Sequence, residues 1–124
     1  MNNQFVKNCK KLIHTCLNLK KNESLLIITD KDKLSIAKKI YKIAIKTQKN
    51  VQLLISKKLI SHGQEPSRII ANSMRKHHGI ICLTKMSIAH SKARYAATKK
   101  GNKFLSLGLK KLWKWSKFIP LYKR

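Results

Sequence analysis

The segment Leu25-Leu26-Ile27-Ile28-Thr29-Asp30-Lys31 indicates a strand that runs directly into a helix. Its apolar run is too short for a helix of its own and ends at a carboxylate, which predicts a buried strand over 24–29. Asp30 or Asp32 then caps the following helix, because an aspartate side chain accepts hydrogen bonds from the unpaired N–H groups of a first turn. Apolar residues at three- and four-residue steps continue that helix to about Gln48.

The same alternation of strand and helix continues along the chain. The predicted strands span 24–29, 51–56, 80–84 and 103–107, and the predicted helices span 2–19, about 32–48, 66–78 and 90–100. Such alternation indicates a parallel sheet covered on both faces, and right-handed crossovers favour the strand order 2-1-3-4. We therefore predict an α/β fold: a small, mostly parallel four-stranded sheet flanked by helices, in a single three-layer domain. Gly79 is expected to end the third helix in the left-handed conformation, and Gly101 is expected to close the fourth helix.

The chain is strongly basic. Its net charge is +25 at pH 7, from 29 Lys and Arg against 4 Asp and Glu in 124 residues. A surplus of this size attracts polyanions such as nucleic acid or an anionic membrane. Lysines occur in every segment rather than on one element, however, and this spread is also typical of a general lysine enrichment with no binding role. Non-specific polyanion binding and a compositional excess therefore both remain as interpretations.

The cysteines and the apolar segments bear on location. Cys9, Cys16 and Cys82 form no CxxC pair and leave an odd count, which fits a reducing compartment. Cys9 and Cys16 share a face of the first helix and are expected to pack as small apolar groups. The chain shows neither a signal peptide nor an apolar run of membrane-spanning length, so we expect a cytoplasmic protein without a transmembrane segment.

Most known ligand motifs are missing from the sequence. There is no GxGxxG and no GxxxxGK[ST], and the turn after the first strand carries Asp30 and Asp32, which would repel a phosphate. No HExxH and no histidine–cysteine pair with zinc spacing occurs. The pair His77–His78 lies at a predicted helix end, where a cation stabilises the helix dipole, and is interpreted as a solvated cap.

Two loops carry the candidate site residues. Both follow the carboxyl ends of predicted strands, where open α/β sheets bind their ligands. The candidates, offered as contacts to a cavity or to a facing domain, are His62, Gln64, Glu65, His90 and Arg94. A second interpretation is that Glu65 and Arg94 form an ordinary ion pair that joins the two loops. No catalytic and no metal-binding residue is assigned.

The same loops carry a family resemblance. The strings are Ser61-His62-Gly63-Gln64-Glu65-Pro66 and Ser87-Ile88-Ala89-His90-Ser91-Lys92-Ala93-Arg94, in this order after the first strand. Over about residues 10–107 the chain resembles the amino-terminal domain of the aminopeptidase T type of leucyl aminopeptidase, a metallopeptidase family. It departs from the family in having far fewer acids on its helices.

The resemblance implies a parent enzyme with a divalent dimetal site that removes amino-terminal residues from peptides. In that family the metal ligands come from a later, larger domain, and no residue here aligns with them. We therefore expect a truncated, non-catalytic amino-terminal domain that is inactive alone and holds no cofactor itself. Its expected partner is the missing carboxy-terminal catalytic domain, and the parent can be a homodimer. The alternative, from another class, is a small basic nucleic-acid-binding protein.

The final residues differ from the rest of the chain. The predicted α/β domain covers 1–107, and residues 108–124 form a basic aromatic tail without acids, with Trp113 and Trp115 close together. The resemblance ends at Leu107. One interpretation is that the tail is read out of frame and can be removed with little loss of stability. The other is a genuine tail whose alternating aromatic and basic residues contact nucleic acid or a membrane interface.

Overall fold

The strand predicted from the first segment lies at the centre of the sheet. The computed structural model describes residues 3–59, 64–84, 88–89 and 91–107. Within them the sheet is four-stranded and wholly parallel, in the order β2-β1-β3-β4. The strands are β1 Leu25–Thr29, β2 Val51–Ile55, β3 Gly79–Leu83 and β4 Lys103–Ser106. The predicted α/β class and the predicted order 2-1-3-4 are both confirmed.

Helices cover both faces of this sheet. They are α1 Asn3–Lys11, α2 Leu34–Ala44, α3 Arg68–Lys76 and α4 Lys92–Lys99. Successive side chains of a strand point to opposite faces, so Leu25 and Ile27 pack with α1 and α2, whereas Leu26 and Ile28 pack with α3 and α4. Both central strands are buried along their whole length, as expected for a parallel sheet with two covered faces.

The first helix changes geometry before it ends. After α1 the chain continues as a π-helical segment, Leu12–Cys16, and the N–H of Leu17 donates to the carbonyl of Leu12 at 3.0 Å. Asn18 then adopts φ 48°, a left-handed conformation that asparagine tolerates better than most residues. The helical region therefore ends a few residues before the predicted Leu19, although its buried face is the predicted one.

The second helix ends at Ala44, about one turn earlier than predicted. The chain leaves the helix through a turn in which the N–H groups of Thr47 and Gln48 both donate to the carbonyl of Ala44. The side chain of Gln48 is buried there, and its Nε2 donates to the carbonyls of Lys20 at 2.7 Å and Glu23 at 2.9 Å, which joins this turn to the turn before β1. The first residues of β2 follow directly.

The prediction for Gly79 was wrong. It is the first residue of β3 and not a left-handed helix cap, and α3 ends instead at an extended His77. A Cβ atom at position 79 would lie 2.6 Å from Cδ1 of Leu19, so glycine is required there by a close approach. Gly101 follows the end of α4 as predicted, and it has a left-handed conformation with φ 95°.

The parallel arrangement gives the sheet two chemically different ends. Leu25 is in register with Val51 and Gly79, and Gly79 with Lys103, so all strands start at one level. We call the turns that precede the strands (20–24, 46–50, 75–78 and 99–102) the amino end. The segments that follow β1, β2 and β3 (30–33, 56–59, 64–67, 84, 88–89 and 91) form the carboxyl end. None of the described helices is both long and apolar enough to cross a membrane.

Candidate functional site

Glu65 joins the two loops at the carboxyl end. Its Oε2 accepts the N–H of Lys92 at 2.6 Å and its Oε1 accepts the N–H of Ala93 at 3.1 Å. The hydroxyl of Ser91, the N-cap of α4, accepts the N–H of Arg94 at 3.1 Å. The first N–H groups of a helix have no partner within it and carry partial positive charge, so a carboxylate is well suited to them. Glu65 is thus a helix cap supplied by a different loop.

Arg94 does not form the ion pair considered from the sequence. Its guanidinium carbon lies 5.0 Å from the ring centroid of Tyr95 and 5.8 Å from that of Phe104, which are cation–π distances. Its Nε is buried and has no hydrogen-bond partner among the described residues. The carboxylate of Glu65 is occupied by backbone N–H groups, which explains why the opposite charge of Arg94 is not its partner.

The other candidate residues have different outcomes. Gln64 is half-buried and directly precedes Glu65 in the loop. His62 and His90 lie outside the described residues. The fourth helix begins at Lys92, with Ser91 as its cap, and not at His90 as predicted. The structure therefore brings Glu65 to the start of α4, and Arg94 lies in the first turn of the same helix.

A buried lysine, Lys33, lies near the point between β1 and β3 at which the order of the strands reverses. The chain leaves β1 for β2 on one side and later crosses to β3 on the other, so β1 and β3 flank the switch point at which such sheets bind ligands. The side chain of Lys33 is 4% exposed, and its Nζ donates to the carbonyl of Thr84 at 3.2 Å. Asp30 caps this turn by accepting the N–H of Lys33 at 3.2 Å, as predicted.

Sequence reasoning missed Lys33, although a signal was present. Counting back from the buried residues Ala37, Ile40 and Ala44, position 33 falls on the same stripe of the helix. A lysine in that stripe must either turn outward or find an acceptor, because burying an ammonium without a partner is costly. Here the acceptor is the end of β3, so Lys33 ties the start of α2 to the neighbouring strand.

The few carboxylates of the chain are largely used by its backbone. Glu23 accepts the N–H of Lys20 at 2.9 Å, and Asp30 and Glu65 cap helical turns. The bond from Lys20, together with the positive charges of His78 and Lys103, lowers the pKa of Glu23. Within the described ranges no group of three or more His, Cys, Asp or Glu side chains has the arrangement of a metal site.

The cysteines lie in the core and are free thiols. Burial raises the pKa of Cys9 to about 12 and that of Cys16 to about 11, and it also raises the pKa of Cys82. Cys9 and Cys16 pack with α1 and α2, as expected from their spacing. A thiol of this kind stays protonated at neutral pH and is a poor nucleophile or metal ligand.

The carboxyl end also exposes large apolar side chains. Ile55, the last residue of β2, is 53% exposed, Ile69 in the first turn of α3 is 73% exposed, and Tyr95 in the first turn of α4 is 51% exposed. Single exposed apolar residues are common. Three such side chains at the end of the sheet that carries Glu65 indicate a surface that a protein partner can cover.

Comparison of the chain with protein-family models, with curated proteins and with solved structures finds no match in any of the three.

Proposed function

We propose that this chain is the amino-terminal, non-catalytic domain of a metal-dependent aminopeptidase of the aminopeptidase T type. In this proposal its carboxyl end docks against the catalytic domain and forms one wall of the peptide-binding cavity. The proposal starts from the resemblance over residues 10–107, and it gains support from how the two resembling loops are built.

The observation that carries the proposal is the contact made by Glu65. The strings Gln64-Glu65-Pro66 and Ser91-Lys92-Ala93-Arg94 are far apart in sequence, yet a carboxylate from one caps the helix that opens the other. A contact of this kind gives a physical reason for both strings to occur together. It joins Glu65 to the start of α4 at the end of the sheet where α/β proteins bind ligands and partners.

The exposed side chains of Ile55, Ile69 and Tyr95 support a docking role for the same end. Interfaces between domains bury apolar and aromatic residues at their centre, with polar groups around them. The catalytic domain is the occupant that the resemblance implies.

The placement of the acids supports a non-catalytic role. Dimetal hydrolysis needs several carboxylates or imidazoles that converge on two ions. Glu23, Asp30 and Glu65 instead accept backbone N–H groups in three separate turns.

A direct test combines hydrolysis with binding. The purified chain should not hydrolyse amino-acid p-nitroanilides in the presence of Zn²⁺, Co²⁺ or Mn²⁺, and it should bind the catalytic domain of an aminopeptidase T-type enzyme produced without its own amino-terminal domain. Turnover by the chain alone that a chelator abolishes would contradict the proposal, as would failure to bind that domain.

Matched variants make the binding test specific for the carboxyl end. The double variant Ile55→Glu, Ile69→Glu should lose binding, because it places charges in the proposed contact. The control is Ile45→Glu, which introduces the same change at an isoleucine that is 49% exposed just after α2, near the amino end. The control should bind normally, and equal loss in both variants would contradict docking through the carboxyl end.

A further inference from the structure

Nine of the exposed basic residues of the chain lie together at the amino end of the sheet. Each turn before a strand carries exposed basic residues, and in a parallel sheet all such turns lie at one end. The exposed residues are Lys20 and Lys21 before β1, Lys46 and Lys49 before β2, Arg75 and Lys76 before β3, and Lys99, Lys100 and Lys103 around the start of β4. The acid among these turns is Glu23. The carboxyl end contains the other three acids of the chain.

We propose that this basic end, defined by the residues just named, binds the phosphate backbone of nucleic acid without sequence preference. This inference does not depend on the proposed function, which concerns the opposite end of the sheet. The inference assigns a binding surface to part of the positive charge, which in the sequence alone is spread over every segment.

The dimensions of the basic end fit a row of phosphates. Neighbouring strands lie about 4.8 Å apart, so the four strand starts span roughly 15 Å. One strand of a DNA duplex carries a phosphate about every 3.4 Å along the axis, so the row faces about four of them. Lys21, Lys49, Lys76 and Lys100 precede the four strands in turn and provide one exposed ammonium for each.

Hydrogen bonds hold these turns side by side. Gln48 bonds to the turn at 20–23, and Asn102 donates to the carbonyls of Met74 and Arg75 at 3.1 Å. Ser24 and His78 exchange bonds between the starts of β1 and β3, and Nζ of Lys103 donates to the carbonyl of Asn18 at 3.0 Å. The turns that carry the lysines are thus held together by hydrogen bonds in the free protein. This reduces the conformational entropy that the turns lose when they bind a ligand.

Helix dipoles explain only part of this pattern. The helices α2, α3 and α4 all run toward the amino end, and cations such as Lys76 and Lys99 stabilise their carboxyl termini. Lys21 and Lys49 do not belong to a last helical turn, and they are exposed. Stabilisation of a helix terminus therefore does not explain Lys21 and Lys49, and contact with a ligand is the explanation that we propose for them.

Nucleic acid fits the basic end better than a lipid surface does. Peripheral membrane binding usually combines basic residues with apolar side chains that enter the interface. Among the residues that the structure describes, Ile45 is the one large exposed apolar residue near these turns, whereas Ile55, Ile69 and Tyr95 lie at the opposite end. A surface of cations with little apolar area is typical of phosphate-backbone contacts.

The test compares two quadruple variants of equal net charge. The first replaces Lys21, Lys49, Lys76 and Lys100 with glutamine. The control replaces Lys38, Lys39, Lys57 and Lys58, which are equally exposed but lie on the outer side of α2 and after β2. Binding of a labelled 20-base-pair DNA duplex is measured by fluorescence anisotropy over a range of salt concentrations, with a second duplex of scrambled sequence and with phosphatidylserine vesicles. Melting curves check that both variants are folded.

The wild-type chain should bind both duplexes equally. In the first variant the plot of log K against log salt should flatten by about 3.6 units, since each of the four contacts contributes about 0.9, and the dissociation constant at 0.1 M salt should rise on the order of a hundredfold. The control should change much less, because charges beyond about 10 Å are screened at this ionic strength. Equal losses in both variants, no duplex binding by the wild type, or vesicle binding without duplex binding would each overturn the proposal.

Discussion

Among single residues, Glu65 makes the contact between distant segments that is easiest to test. Its carboxylate accepts two backbone N–H groups from a helix far away in sequence. Glu65→Ala should therefore lower the free energy of unfolding by about 1–2 kcal/mol, the usual range for loss of a helix cap. Urea unfolding followed by circular dichroism measures this. Asp32→Ala removes the same charge from an exposed position and should cost less. Equal effects of the two substitutions would show that only charge matters at position 65.

The lowered pKa of Glu23 leads to a prediction of how the free energy of unfolding depends on pH. Its folded-state pKa lies below its ordinary value of 4.5, chiefly because of the bond from the N–H of Lys20. The folded state therefore binds a proton less readily than the unfolded state. The contribution of Glu23 is complete above pH 4.5 and is lost as pH falls through the lower folded value. Glu23→Gln should make unfolding less dependent on pH in this acid range, and an unchanged profile between pH 2.5 and 5 would contradict it.

Residue roles were harder to predict than residue positions. The topology brings the loops of Glu65 and Arg94 to one end of the sheet, and the structure brings Glu65 to the start of α4. Charge alone favoured Arg94 as its partner, but the carboxylate accepts the N–H groups of Lys92 and Ala93, and Arg94 lies against Tyr95 and Phe104. Such competition between acceptors depends on three-dimensional distances that a sequence does not contain.

For the elements, the contact between Gly79 and Leu19 gives a test of packing between β3 and the end of the first helical region. Gly79→Ala would place Cβ 2.6 Å from a side chain that is itself 4% exposed. Leu19 can rotate but has little room, so we expect a loss of about 1–2 kcal/mol in the free energy of unfolding. Combining it with Leu19→Ala should recover part of the loss, because the smaller side chain removes the clash.

The matched control for this packing is Gly101→Ala. No atom lies within 4 Å of a Cβ there, but φ is 95°. The substitution should cost about 1 kcal/mol through backbone strain, and Leu19→Ala should not relieve it. Relief of both glycine variants by Leu19→Ala, or of neither, would contradict the close approach at Gly79.

The type of each helix and strand, and their order along the chain, could be predicted from the local pattern of apolar residues. The residues at which several helices end could not. Short apolar runs such as 25–29, separated by helical periodicity, were enough to predict the parallel sheet, whereas its strand order was predicted by analogy with doubly wound sheets. The turn after α2 bonds through Gln48 to the carbonyl of Lys20, and a side chain at position 79 would meet Leu19. These contacts join residues distant in sequence, so local periodicity carries no information about them.

Across the whole molecule, the basic end predicts that salt stabilises the fold. Lysines held close together repel one another, and raising the ionic strength from 0.01 M to about 0.15 M shortens the screening length from about 30 Å to about 8 Å. The melting temperature should rise with sodium chloride, by about 4–8 °C for each kcal/mol of repulsion relieved. The variant with glutamine at 21, 49, 76 and 100 should respond less than the wild type, and a melting temperature independent of salt would contradict clustered repulsion.

The strand order also has a consequence for synthesis on the ribosome. β1 is made first and occupies the centre, and each later strand pairs with one already made: β2 with β1, β3 with β1, and β4 with β3. No strand has to wait for a later one in order to find its neighbour. The sheet can therefore grow outward as the chain emerges, and translation itself limits how long an unpaired strand is exposed to other nascent chains.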